Sequence, residues 1–261
     1  MAEVLRKTLP ALGIALLLGG CGGSAAEQAA APRVERAMPA AAPPDTECRP
    51  GREQHLGDGR RAYAARAKGR VTAFARPRGR PLREFGPRNV NGVHTVFGVL
   101  GVVRDRSCEP AWYRVQVPMR PNGAVGYVRA ADVGLQVVRT RIEVDLSERR
   151  IDFIRDGRRV ARTTAGIGSD VTPTPTGRYY VNQRLLAADP EGPFGPGAIG
   201  ISAFSPVLTN WAQGGPIAIH GTNDPSSIGR SVTNGCLRIP NDLLVRMFQS
   251  NPEGTPVLVR A

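Results

Sequence analysis

From residue 63 to about 138 the apolar residues come in short runs that alternate with turn signals. VTAFARP, VHTVFGVLGVVRD, WYRVQVP and VGYVRAADV follow one another, separated by Arg80-Pro81, Asn91-Gly92 and Pro121-Asn122-Gly123. With 31 Gly and 23 Pro in 261 residues, the punctuation is dense. Blocks of this kind, bounded by turn-formers, read as strands. The fold class expected is mainly β, with a small β-barrel first and a second β-rich domain after it.

The first strands are expected over Val71–Ala75, Thr95–Arg104, Trp112–Val117 and Gly126–Val128. From Arg139 the pattern changes. Arg141 to Leu146 alternates polar and apolar, as a half-buried strand does. Ile151–Ile154 and Arg159–Ala165 read as two more strands, joined by a tight hairpin turn at Asp156-Gly157. A strand follows at Arg178–Val181, another over Ile201–Leu208, and one at Pro216–His220 that ends on a histidine. Asn241–Gln249 reads as a short amphipathic helix, capped by Asn241 or Asp242, with Leu243, Leu244, Met247 and Phe248 facing the core. Thr255–Arg260 is the last strand.

The chemistry concentrates in IAIHGTNDPSSIGRSVTNGCLRIP, residues 217–240. His220 and Cys236 are a base and a thiol, and a thiol becomes a good nucleophile when an imidazole takes its proton. Gly235 lets the backbone approach a substrate closely. Arg238 can lower the thiol pKa or hold a carboxylate. A lone Cys is more often an inert core residue, and the spacing alone is weak evidence. The stretch lacks the four N/S ligands of a structural zinc site, and no metal or other cofactor is expected.

HGTNDPSSIG followed by SVTNGCLRI resembles the signature of the L,D-transpeptidase family with the YkuD-type catalytic domain. Ser231, Thr233, Gly235, Cys236 and Arg238 fall at motif positions. Asn234 stands where many members carry His or Arg. The resemblance implies Cys236 as nucleophile, His220 as base, and the Gly221 backbone carbonyl as the group that orients the imidazole. It implies an oxyanion and substrate site built from Asn234, Gly235, Arg238, Thr233 and Ser231. Thr174-Pro175-Thr176-Gly177 resembles the family's T-P-x-G element and reads as scaffold beside the site. Phe194, Phe204 and Trp211 are candidates to shape a donor groove. The reaction implied joins peptidoglycan stem peptides, donor and acceptor, through a cysteine thioester with loss of D-alanine. An L,D-carboxypeptidase, or a wall-binding lipoprotein without catalysis, is the alternative.

The chain opens on Arg6-Lys7, an apolar run from Leu9 to Leu18, and Gly19-Gly20 before Cys21. That is the form of a secretory signal peptide, and Leu18 to Cys21 resembles a bacterial lipobox, with Cys21 as the lipidated residue. The organisation expected is a leader over 1–20, an Ala/Pro-rich disordered tether over 21–46, a domain over 47–138 resembling bacterial SH3-like modules, and the catalytic domain over 139–261. Trp112, Tyr113 and Tyr127 are either ligand-groove or core aromatics. With Cys21 and Cys236 assigned, Cys48 and Cys108 remain, and in an exported protein they are expected to pair. The protein is expected to face the cell wall or periplasm from a lipid anchor. The net charge of +13 is mostly arginine spread along the chain, which points to anionic wall polymers or membrane surfaces rather than nucleic acid. Gly166-Ile-Gly-Ser does not fit a phosphate-binding loop.

Overall fold

The computed structural model describes residues 48–261. The expected leader, Cys21 and the tether lie outside the described residues. Among the described residues no helix is long and apolar enough to cross a membrane.

The first eight strands are β1 (Glu53–His55), β2 (Ala62–Ala67), β3 (Val71–Phe74), β4 (Pro81–Phe85), β5 (Val96–Arg104), β6 (Pro110–Gln116), β7 (Val125–Arg129) and β8 (Val133–Val138). They form one antiparallel sheet in the order β4-β3-β7-β6-β5-β2-β8. The long strand β5 serves two neighbours on one edge. Tyr63 of β2 lies opposite Val99, and Glu53 of β1 lies opposite Val103. Alternate residues Phe97, Val115, Val128 and Val71 turn inward and are fully buried. Cys48 and Cys108 are joined by a disulfide, which ties the start of the described chain to the β5–β6 turn. Strands β2 and β4 escape a sequence reading because AYAARA and PLREF hold few β-branched residues. Trp112 and Tyr113 are buried core aromatics, and the half-exposed Tyr127 donates its hydroxyl to Glu53 at 2.7 Å.

The second half contributes β9 (Thr140–Asp145), β10 (Arg150–Arg155), β11 (Arg158–Thr164), β12 (Ile167–Gly168), β13 (Gly177–Leu186), β14 (Gly197–Phe204), β15 (Pro216–His220), β16 (Ser231–Thr233), β17 (Leu237–Arg238), α1 (Asn241–Ser250) and β18 (Pro256–Arg260). Eight of these strands make a mixed sheet in the order β11-β10-β9-β18-β13-β14-β15-β17, and β12 pairs with β16. Asp156 and Gly157 both take positive φ, as the two-residue β10–β11 hairpin requires. Ile142, Phe153, Ile199, Ile201, Ile217 and Leu237 fill the core, on which α1 sets Leu243, Leu244 and Met247.

Two expectations are corrected. The strand expected at Ile201–Leu208 runs over Gly197–Phe204 instead, just before Pro206, which has no N–H to give a ladder. Neither Asn241 nor Asp242 caps α1. Pro240 occupies the cap position, and no side chain bonds the helix start. Asn241 is the first helical residue and its amide is engaged elsewhere.

The two sheets meet along β13. Gly98 faces the ring of Tyr180, where a Cβ would stand 2.9 Å from the ring carbon. The Tyr180 hydroxyl donates to the Val96 carbonyl at 3.0 Å, and Gln116 Nε2 donates to the Arg178 carbonyl at 2.7 Å. Arg120 donates to the carbonyls of Ser205 and Gly214, each at 2.7 Å. Asn122 both donates to and accepts from the Phe204 backbone. The loop before β15 is therefore gripped by the first sheet.

Candidate active site

Parallel pairing sets Ile219 opposite Leu237 and His220 opposite Arg238. Side chains alternate along each strand, so Ile217, Ile219, Leu237 and Ile239 go to the core. Ala218, His220, Cys236 and Arg238 are left on the other face together. The sequence brings base, thiol and cation to one surface only through this register.

His220 is buried. Its Nδ1 lies 2.5 Å from the Gly221 carbonyl oxygen, so Nδ1 carries the proton and donates, leaving Nε2 as the free acceptor. Burial is the main cause that pushes the His220 pKa down to about 4, with Arg238 adding to it and the Gly221 bond opposing. The ring of Phe194, itself exposed, stands edge-on to the imidazole at 5.0 Å between centroids. Gly221 is held in turn by Asn241, whose Oδ1 accepts from the Thr222 N–H at 2.7 Å and whose Nδ2 donates to the Thr222 carbonyl at 3.1 Å. No side chain fits at position 221, since a Cβ there would meet Asn241 Oδ1 at 2.2 Å.

Cys236 keeps some solvent exposure, yet its sulfur lies deep enough that burial pushes the thiol pKa up. The Ala218 N–H and the Arg238 charge oppose that shift. The thiol donates to the Pro216 carbonyl at 3.9 Å. Both groups are consequently neutral near pH 7, a thiol and an imidazole rather than an ion pair.

The turn before the thiol is pinned from three sides. Thr233 Oγ1 donates to the Cys236 carbonyl at 2.6 Å and accepts from the Gly235 N–H at 3.1 Å. Thr174 Oγ1, buried, accepts from the Gly168 N–H and donates to the Gly235 carbonyl, both at 2.9 Å. Thr172 Oγ1 donates to the Thr233 carbonyl at 2.8 Å. Gly235 has φ of 107°, and a Cβ there would meet Ile217 Cδ1 at 2.9 Å.

Part of the expected oxyanion and substrate set is already bonded within the protein. The Gly235 N–H is already spent on Thr233, and the Thr233 hydroxyl is spent in both directions. Ser231 sits on β16, where its hydroxyl accepts from Arg149 Nε at 3.4 Å, turned to the surface beside β12. Asn234 is exposed at the tip of the turn. Arg238 has a buried Nε without a hydrogen-bond partner, and among the described residues no carboxylate pairs with it within 4 Å. Sequence reasoning missed Asn241, which looks like an ordinary helix cap. The threonines of the 172–177 loop were read as scaffold; their spacing in TPTPTG was the available signal. Among the described residues no group of His, Cys, Asp and Glu side chains is arranged to hold a metal.

A thiol and a backbone-oriented imidazole on one sheet face are the groups of a cysteine–histidine site of the kind used in acyl transfer. Residues 139–259 match the family model of the L,D-transpeptidase catalytic domain, YkuD. Two Bacillus subtilis proteins with L,D-transpeptidase in their names are similar. YkuD is 31% identical over 118 residues, 45% of this chain and 64% of its own. YqjB is 37% identical over 89 residues, 34% of this chain and 47% of its own. The chain thus spans less than two thirds of the length of these relatives. Among solved structures, an L,D-transpeptidase from Mycobacterium smegmatis aligns at TM-score 0.40 and 16% identity, over 76% of this chain and 99% of that one. The catalytic domain of the Enterococcus faecium L,D-transpeptidase aligns at TM-score 0.35 and 24% identity, over 46% and 96%.

Proposed function

We propose that this protein is a peptidoglycan L,D-transpeptidase that exchanges stem peptides through a thioester on Cys236. The observation that carries the reading is the shared face of β15 and β17, with the free Nε2 of His220 and the thiol of Cys236 on it. The donor is a stem tetrapeptide. Cys236 rotates from the Pro216 carbonyl toward His220, and its proton passes to Nε2 as Sγ attacks the carbonyl before the terminal D-alanine. The C–N bond breaks, the amine takes the proton from Nε2, and D-alanine leaves. An amine of a second stem then attacks the thioester, forms the cross-link and returns the sulfur as thiol, its proton relayed through His220.

The N–H groups of Asn234 and Cys236 are the donors proposed for the oxyanion, at about 3–4 kcal/mol each in comparable acyl-transfer sites. Arg238, with its unpaired buried Nε, is assigned to a substrate carboxylate. The first sheet is proposed to be an SH3-like module that positions the enzyme on the wall. Export and a lipid anchor at Cys21 belong to the same proposal.

Incubation with a carbapenem tests the nucleophile by intact-protein mass spectrometry. One adduct is expected on the wild type and none on Cys236→Ala. A wild type that stays unmodified, or an adduct that survives the substitution, removes the thioester mechanism. Incubation with disaccharide-tetrapeptide then separates transfer, which yields dimer, from hydrolysis, which yields tripeptide.

A further inference from the structure

A cleft of about 430 Å³ lies between the first sheet and β13–β15, lined among others by Arg83, Arg88, Asn182, Phe204, Gln213 and Pro216. Its roof, from Arg83 to Val96, lies outside the matched catalytic domain. Its floor is the same sheet face that carries the thiol. Gln183 lies opposite Gly200, Gly200 lies opposite Ala218, and Ala218 precedes the Ile219 that pairs with Leu237, next to Cys236. The Pro216 carbonyl that accepts from the thiol belongs to a lining residue of the cleft. Strands are spaced about 4.8 Å, so β13 lies about 14 Å from β17. An extended peptide of four residues spans about that distance.

The floor holds an orphan. Asn182 sits at the β13 bulge, and its buried Oδ1 has no hydrogen-bond partner. Gly200 packs beside it without a side chain, since a Cβ there would meet Gln183 Cγ at 2.6 Å and Asn182 Oδ1 at 3.2 Å. Gln183 is fixed by Asn89 and Asn91, each donating to its Oε1 at 2.8 Å. The unpaired carbonyl oxygen of Asn182 calls for an N–H or ammonium donor. The charge around it is positive. Arg83 is exposed on the rim, and the lining carboxylate Glu84 is paired with Arg70 at 2.5 Å. The lining aromatics offer no free ring to stack a sugar. Arg83 lies 5.6 Å over Phe85, and Arg120 lies 5.5 Å over Phe204.

We propose that this cleft binds an extended stem-peptide strand, with an N–H or ammonium on Asn182 Oδ1 and a carboxylate on Arg83 and Arg88. The assignment rests on the transpeptidase reading for its ligand, and donor and acceptor stems share this chemistry. Binding is measured on the full chain carrying Cys236→Ser, which cannot form a thioester, by titrating a stem tetrapeptide with free carboxylates. Arg83→Ala and Asn182→Leu, each added to that protein, are expected to raise the Kd at least tenfold, with the unfolding midpoint showing that each remains folded. An unchanged Kd in both, or no binding at all, overturns the cleft assignment. Loss of affinity for peptide-free glycan strands instead of the tetrapeptide overturns it too. In the protein with Cys236 intact, slower D-alanine release in the two variants identifies the donor strand. Normal release with less dimer identifies the acceptor strand. Failure of the transpeptidase reading shows elsewhere, as a Cys236 that no carbapenem acylates.

Discussion

At the residue scale, the protonation states of Cys236 and His220 decide the pH behaviour. Burial raises the thiol pKa and lowers the imidazole pKa to about 4, so the resting pair is neutral at pH 7. An imidazolium–thiolate pair would instead show a plateau of reactivity across acidic and neutral pH. Alkylation of Cys236 by iodoacetamide, followed by mass spectrometry, is expected to rise steadily from pH 6 to pH 9. A flat rate over that range would show the ion pair. The same imidazole couples to stability. Its folded pKa lies below the unfolded value of about 6.5, so between pH 6.5 and 4 the unfolded chain binds more protons. Stability is therefore lost as pH falls through that window, by about 3 kcal/mol if the whole shift is realised. The difference in urea midpoint between pH 7 and pH 4 is expected to be smaller in His220→Gln than in the wild type. Equal differences would mean that His220 titrates normally.

At the element scale, the short turn 233–236 owes its shape to a neighbouring loop. Thr174 holds the Gly235 carbonyl from the 172–177 segment, and the whole arrangement is buried. Thr174→Val keeps the volume but leaves the Gly168 N–H and the Gly235 carbonyl without that hydroxyl. The expected cost is about 1–3 kcal/mol in the chemical unfolding midpoint. Slower carbapenem acylation of Cys236 should accompany it, and Thr174→Ser should recover most of both. Asn241 plays the matching part for the base. Asn241→Ala frees the Thr222 backbone and with it the Gly221 carbonyl that fixes the His220 tautomer. About a tenfold or greater fall in acylation rate is expected, with the pH profile displaced toward lower His220 basicity. A fall in rate with an unmoved profile would leave Asn241 a purely structural role.

At the scale of the whole molecule, the first sheet does more than precede the second. Arg120 and Asn122 grip the Phe204–Gly214 segment that feeds β15, and β15 delivers both the Pro216 carbonyl and His220. The double variant Arg120→Ala, Asn122→Ala should loosen that segment while leaving Cys236, His220 and Arg238 untouched. Amide exchange across residues 205–216 is expected to quicken, and tetrapeptide turnover to drop several-fold. Unchanged exchange would show that the grip contributes nothing to the order of the loop.

The strand ending on His220, the Asp156-Gly157 hairpin and the inward face of α1 could be read from the chain itself. Each follows from local pattern: alternation, two residues that tolerate positive φ, and apolar residues at helical spacing. Strands β2 and β8 could not, because AYAARA and VGLQVV gain their place from neighbours that pair with them. The thiol, the base and the nearby cation were legible as residue types in one stretch. Their common face was not, since it depends on the parallel register of β15 against β17.

By itself the sequence settled the mainly β character and the stock of reactive groups, because both are written in neighbouring residues. The tertiary structure decided what those groups are free to do. A hydroxyl at Thr233 is spent or available, an N–H at Gly235 is bonded or open, and a carbonyl oxygen at Asn182 is paired or orphaned, according to partners that folding brings from far along the chain. Hydrogen-bond capacity is fixed by residue type, but its use depends on geometry across the sheets.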